Sequence, residues 1–344
     1  MGRVRGFLLW FEESPLAVLF VAAGVTVGVV VALASYAGWS QVLRRVEARH
    51  SWAWLGVCLA AEAVAYLGYM LTIRDVARVD GGAELDRKTL IKTVIHGFGV
   101  FAATRTKGGF AVDYSAFRRA GAGKRDATAR VLALGFLEYA ILGLAALVAS
   151  VLLFLRVDGH RTASTTLPSL IIVPCIAAAI WVTSPKRAAR LARTPRDSGR
   201  LRTGFANTVA GTRKLRSLLS SPREHGLAPL GMSLYWAGDI ACLWAALQLV
   251  GGRHITIAAL VLAYTTGYVL TRRSLPGGGA GIVEAALTIA LYWMGLRLVP
   301  ALIGTIVYRI FNFWLPIIPA LILLRSTERN RSPTLTGPAQ TDGS

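Results

Sequence analysis

The chain is 344 residues long, 54% apolar and only 16% charged, with 38 Lys and Arg against 18 Asp and Glu for a net charge of +20. A soluble domain averages about 25% charged residues, so the composition excludes a water-soluble enzyme. No aromatic platform interleaves the basic residues as a nucleic-acid surface requires, and no nucleic-acid partner is expected. The three cysteines and five histidines share no CxxC pair and no metal-ligand spacing, so neither a disulfide framework nor a metal or cofactor centre is expected.

Arg3 and Arg5 precede an apolar run ending near Ala32-Leu33-Ala34, the outline of a signal peptide. From Leu16 that run is about twenty residues, beyond the roughly 7–15 of a signal h-region, with Glu12 and Glu13 at its start; an uncleaved first helix is predicted. A helix rising 1.5 Å per residue needs about 20 apolar residues to cross a hydrocarbon core of about 30 Å. With no water there to satisfy the backbone, apolar blocks of that length read as helices. The pattern predicts them near 15–38, 51–73, 89–103, 127–155, 167–183, 227–250, 255–271, 282–296 and 298–324. Segments 89–103 and 282–296, about 15 residues each, are short for a span. Gly24 and Gly28 form a GxxxG packing pair in the first helix. Asp75, Asp80, Glu84 and Asp86 make an acidic loop without the DxxD spacing of a magnesium-dependent transferase, and read as solvated.

Between 184 and 226 stand eleven basic residues and two acidic ones, which predicts a cytoplasmic segment. That assignment puts the run bearing Arg44, Arg45 and Arg49, and the 105–125 segment, on the same side. The N-terminus is outside if all nine segments cross and inside if one short segment only dips in. Leu201, Phe205, Val209, Leu215, Leu218 and Leu219 form a helical stripe beside Arg202, Arg213, Lys214 and Arg216. That is the pattern of an amphipathic helix at anionic headgroups. Residues 326–344 are polar and contain Pro333 and Pro338; a disordered tail is expected.

Thr104-Arg105-Thr106-Lys107-Gly108-Gly109 follows a short apolar segment and precedes a longer one. Thr271-Arg272-Arg273-Ser274-Leu275-Pro276-Gly277-Gly278-Gly279 does the same in the second half. Glu138 stands 29 residues after Gly109, and Arg309 stands 30 after Gly279. Matching Gly/Pro breaks in two halves are the best sequence pointer to a transporter-like site, although an Arg- and Gly-rich chain also produces such pairs by chance.

Each glycine of 277–279, and Gly281, would weaken a helix by about 1 kcal/mol relative to alanine, so the stretch reads as an unwound turn. A helix opening at Ile282 would aim free N–H groups at whatever occupies it, the geometry that holds phosphates. Arg272 and Arg273 flank the turn; close helix packing is the competing reading. Glu284 in the first helical turn favours the dipole by about 0.3–1 kcal/mol. Arg309, eleven residues into an apolar stretch, costs about 2.5–3.5 kcal/mol at the bilayer centre and needs a partner. Glu138, Glu62 and Asp239 are the candidates, with Glu138 preferred because it corresponds to Arg309 in the repeat. Such a pair either fixes helix register or faces a cavity and holds a lipid phosphate.

Residues 274–286, SLPGGGAGIVEAA, and 308–316, YRIFNFWLP, resemble the C-terminal signature of the lysylphosphatidylglycerol synthase transmembrane family: a PGGxGxxE turn-helix, then an arginine-bearing last helix ending in aromatic-Trp-Leu-Pro. The Gly108-Gly109 turn, a basic stretch and a long helix resemble its first half. Here Thr106-Lys107 stand where the family often has proline and arginine. The acidic residue that often follows the turn directly is displaced to Asp113. The resemblance covers 15–325 and implies movement of aminoacylated or related lipids between leaflets. The soluble synthase domain of that family has no counterpart in this sequence, which predicts a stand-alone member.

These readings converge on an all-α integral membrane protein with about eight (8–9) transmembrane or re-entrant helices in two pseudo-repeats with Gly-rich breaks. The membrane domain is expected over 1–325, with repeats at 51–183 and 227–325 joined by the basic segment 184–226. The expected function is a lipid translocase of the inner membrane, with 184–226 and the C-terminus cytoplasmic. Its cargo would be a phospholipid, an aminoacyl lipid or a glyco- or polyprenyl-phosphate lipid. The alternatives are a membrane-embedded transferase acting on polyprenyl-linked sugars, or a non-catalytic scaffold for a lipid-modifying enzyme. Candidate headgroup residues are Arg272, Arg273, Pro276, Gly277, Gly278, Gly279, Gly281, Glu284, Arg309 and Glu138, with Arg105, Lys107, Gly108 and Gly109 from the first turn. No catalytic residue, cofactor or metal is assigned. The partners are membrane lipids, with a homo-oligomer or a soluble lipid-modifying protein left open.

Overall fold

The protein is described here from a computed structural model, in which residues 15–47, 52–103, 108–156, 174, 200–251, 255–269, 279–320 and 322 are placed. Their regular structure is all helical. The first half holds α1 (Pro15–Ala37), α2 (Trp39–Glu47), α3 (Ala53–Arg78), α4 (Arg87–Ala103), α5 (Gly108–Arg119) and α6 (Lys124–Arg156). The second holds α7 (Arg200–Ser220), α8 (Pro222–His225), α9 (Leu227–Leu249), α10 (Ile257–Tyr264), α11 (Ile282–Trp293) and α12 (Leu298–Arg309). π-helical stretches continue α10 over Thr265–Val269 and α12 over Ile310–Trp314.

Leu19–Ala37, Ala53–Gly81, Lys124–Leu155, Leu227–Leu249 and Leu298–Ala320 are long and apolar enough to cross a membrane. Their outer faces expose Phe20, Leu59, Leu67, Leu144 and Leu230, as a hydrocarbon solvent permits. The chain is a multi-pass membrane protein.

The centre is the α3–α9 pair, which runs antiparallel with backbones in contact. A Cβ on Gly68 would overlap the Gly231 carbonyl, and one on Gly238 the Ala61 carbonyl. Thr72 Oγ1 donates to the Ala228 carbonyl at 3.1 Å near one end, and Trp54 meets Trp244 edge-on at 5.2 Å near the other. Hydrocarbon gives helices no hydrophobic reason to associate, so small residues that permit close dispersion contact set this crossing.

The end of α3 lies against α7. Asp80 accepts from Ser217 and pairs with Lys214 at 3.0 Å, while Lys214 also reaches Asp126, at the start of α6, at 2.9 Å. Buried Arg130 donates to the carbonyls of Val76, Ala77 and Val79, closing the C-terminal end of α3 with a cation. The chain therefore leaves the α7 face into α4 and returns to it from α5. Arms of 17 and 12 residues reach about 25 and 18 Å, so α4–α5 is a re-entrant hairpin.

The α10–α11 hairpin enters from the other face. Ala258 and Leu262 of α10, and Met294 just past α11, cluster with Ala146, Ala149 and Leu153 of α6, about 30 Å or more along α6 from Asp126. Its arms meet where Gly267 seats on Ala286 and Leu287. The order long, short, short, long thus occurs twice. The starts Ala53, Arg87, Gly108 and Lys124 are followed by Leu227, Ile257, Ile282 and Leu298 after 174, 170, 174 and 174 residues.

Segments 89–103 and 282–296, read above as short for a span, are arms of re-entrant hairpins. One expectation is corrected. The run bearing Arg44 and Arg45 lies on the face opposite α7: α3 starts on that face, and α2 ends five residues before Trp52, within about 18 Å of it. Counting 89–103 as a crossing inverts the side of everything before it. Arg49, the helix expected at 167–183 (residue 174 apart), residues 184–199 and the tail 326–344 lie outside the described residues.

Candidate site at the mouth of the second hairpin

α11 begins level with the middle of α1, where Gly281 lies against Val25. Gly281 precedes it at φ +82°, a conformation that L side chains rarely adopt, and a Cβ there would also overlap Val25 of α1. Its N–H donates to Glu284 Oε2 at 2.6 Å, so the carboxylate folds back over the helix N-terminus. Glu284 Oε1 accepts from Arg309 Nε at 2.8 Å. Both side chains are essentially fully buried, and the Arg309 guanidinium carbon lies 4.2 Å from the Phe313 ring centroid. A carboxylate thus occupies the place an anion takes at a helix N-terminus, bridging a backbone amide and a guanidinium.

One turn on, Thr288 and Thr305 stand i+4 from Glu284 and i−4 from Arg309, in register across the antiparallel α11–α12 pair. Both are fully buried, and neither hydroxyl finds a hydrogen-bond partner among the described residues. The Thr26 hydroxyl on α1, beside the Val25–Gly281 contact, is likewise buried and without one. Native proteins leave few such groups unsatisfied. Three therefore set this triangle of helices apart.

A second polar node lies at Asp239 of α9, which accepts from Tyr308 Oη and Asn312 Nδ2 at 2.8 Å each and from Tyr264 Oη. In the first half, buried Asp113 accepts from Tyr69 Oη at 2.9 Å.

Of the sequence candidates, Gly281, Glu284 and Arg309 come together. Gly279, at φ +68°, lies two residues before Gly281. Glu138 is buried in mid-α6, where its carbonyl accepts from Trp236 Nε1 at 2.8 Å. The carboxylate within 2.8 Å of Arg309 is Glu284 and not the Glu138 expected from the repeat. Gly108 and Gly109 open α5. Arg105, Lys107, Arg272, Arg273, Pro276, Gly277 and Gly278 lie outside the described residues. Sequence reasoning did not find Thr26, Thr288 and Thr305, whose only signal is a hydroxyl repeated at helical spacing beside a charge.

The family model described as "Lysylphosphatidylglycerol synthase TM region" matches residues 16–320. The chain belongs to that family. No curated protein matches it. The lysylphosphatidylglycerol synthase TM region here includes both hairpins, the α3–α9 pair and the Glu284–Arg309 site, so membership brings a lipid-handling context to a mid-membrane polar site.

Proposed function

We propose that this protein moves a phosphate-bearing lipid headgroup across the membrane through the site between α1, α11 and α12. The observation that carries the reading is Glu284. A resident carboxylate already holds the anion position formed by the Gly281 amide and Arg309, and the hydroxyls of Thr26, Thr288 and Thr305 on the same three helices have no hydrogen-bond partner among the described residues. A headgroup phosphate exchanging with Glu284 would meet the same donors. Arg272, Arg273 and the amides of 277–281 would extend the site at the hairpin mouth. Arg105, Lys107, Gly108 and Gly109 would form its weaker counterpart in the first half, with Glu138 as a nearby counter-charge. The halves 51–183 and 227–325 are read as inverted repeats, an architecture in which transporters bind cargo near the midplane. The eleven basic residues of 184–226 favour a cytoplasmic α7 face, with the C-terminus on that side.

The test is lipid movement in reconstituted vesicles, read by quenching of headgroup-labelled phosphatidylglycerol with a membrane-impermeant reductant. A neutral pair, Arg309→Met with Glu284→Gln, should keep the fold and reduce movement at least about tenfold, the cost of roughly 1.4 kcal/mol of lost headgroup binding. Wild-type rates in a folded double variant would place the cargo path elsewhere.

A further inference from the structure

The crossing of α3 and α9 joins the two halves of the chain, and its layers follow one antiparallel register. Thr72 meets Ala228, Gly68 meets Gly231, and Ala61 meets Gly238. The next layer faces Cys58 with Cys242, three residues back along α3 and four on along α9. Cys58 Sγ donates to the Cys242 carbonyl at 3.6 Å, and the two thiols are close enough to interact directly. Both are free cysteines with no exposed surface. Being 184 residues apart in sequence, they leave no sign of the pair in the spacing of the chain.

A disulfide spans Cα atoms about 4.4–6.8 Å apart. Gly68, Gly231 and Gly238 bring the two backbones into contact, which is the condition for facing positions of two helices to come that close. The cysteine layer lies near one end of the crossing. Cys58 is about 8 Å along α3 from Ala53, and Cys242 about 10 Å along α9 from Leu249. Beyond it the half-buried Trp54 and Trp244 meet edge-on and close the layer toward the face opposite α7. On the orientation favoured above, that face is the exterior, where disulfides persist.

We propose that Cys58 and Cys242 are an oxidisable pair whose disulfide locks α3 to α9, and with them the two halves of the protein. Two S–H bonds break and one S–S bond forms. The two electrons and two protons pass to a membrane-dissolved quinone, which leaves as the quinol. An apolar two-electron acceptor suits the place. Water-borne disulfides have no route to sulfurs without exposed surface, whereas the exposed side chains of Val57 and Leu59 flank Cys58 on the lipid side. Reduced, the layer is held by dispersion contact and can shift. Oxidised, it is held at a fixed bond length, and movement of one half against the other, as alternating access requires, stops.

The pair does not depend on the translocase reading; its effect on lipid movement does. The test is a thiol count on protein in vesicles, treated with a short-chain, fully substituted ubiquinone, then denatured and labelled with polyethylene-glycol maleimide. The wild type has three cysteines. After oxidation it should take one label, at Cys175, and after dithiothreitol all three. Three labels on the oxidised protein, or a loss that dithiothreitol does not reverse, overturns the pair. Cys58→Ser and Cys242→Ser should each keep both remaining labels under oxidant, and loss of label in either overturns the pairing. Should neither variant fold, a peptide map of the oxidised wild type without a Cys58–Cys242 cross-link overturns it instead. Acid-quenched cells should yield some protein with a single label; none would overturn a role in the cell. In the same vesicles, headgroup-labelled phosphatidylglycerol should move several-fold more slowly after oxidation and recover with dithiothreitol. An oxidised wild type that moves lipid at the reduced rate overturns the lock and leaves the pair. If lipid moves in neither state, the translocase reading fails, while the label count still decides the pair.

Discussion

Replacing Arg309 by methionine keeps an unbranched apolar stem and leaves Glu284 ionised in a site with no exposed surface. Breaking a buried ion pair from one side costs about 3–5 kcal/mol. The Gly281 amide and the α11 dipole still hold the carboxylate, which offsets about 1 kcal/mol. The expected net loss is about 2–4 kcal/mol. Glu284→Gln instead removes the carboxylate charge that faces the guanidinium, which keeps the Phe313 face, worth about 1 kcal/mol, so a loss of no more than that size is expected. The double variant leaves neither charge and should fall within about 1 kcal/mol of the wild type. Unfolding titrations in mixed micelles with a denaturing detergent, followed by far-UV circular dichroism, measure all three. Glu138→Gln in place of Glu284→Gln should rescue nothing. A double variant no more stable than the worse single one would refute the pairing and return Glu138 to consideration.

Gly281→Ala should cost about 1–3 kcal/mol through its positive φ alone, plus the overlap with Val25. Adding Val25→Ala should recover only the second part in the same titration, and an unchanged midpoint for Gly281→Ala would mean that the turn is wound otherwise. Cysteines placed at Ala83 and Ser220 should react with a membrane-impermeant maleimide from one side of sealed vesicles, and a cysteine at Gln41 from the other. Labelling of Ala83 and Gln41 from the same side would dissolve the re-entrant first hairpin.

The membrane-spanning blocks were legible because a hydrocarbon solvent demands long apolar runs, and the runs at 15–38, 227–250 and 298–324 return as α1, α9 and α12 with its π-helical continuation. The hairpins were half legible. Two short segments beside Gly-rich breaks signal a re-entrant element, but apolar length alone does not say whether a 15-residue helix turns back. The contact of Asp80 and Asp126 with Lys214 decides that, and such contacts leave no mark on composition. The structure gives Arg309 an ion pair with Glu284, where the repeat had favoured Glu138. Glu138 and Arg309 hold equivalent places in the repeat. Where two halves are inverted, however, equivalent residues sit on opposite sides of the local axis and need not touch. The ion pair of Arg309 closes within its own half, with Glu284 at 25 residues' separation.

The same inversion explains why the two hairpins are alike in shape and unlike in charge. Asp113 precedes Glu284 by 171 residues, and Glu138 precedes Arg309 by 171, so each half places an acid on the returning arm and a second charged residue on the long helix that follows. In the first half both are carboxylates, and Asp113 takes its hydrogen bond from the neutral Tyr69 hydroxyl of α3. In the second half the long helix supplies a guanidinium instead, and its own acid is neutralised in place. On the function proposed above, a phosphate entering along the second hairpin would meet a cation already held by an exchangeable anion, whereas the equivalent positions of the first half carry acids. Repeats that swapped equal roles during transport would need matching charges at both positions. Under that proposal, the unequal charges would make the second hairpin the stronger headgroup site and the first its weaker counterpart.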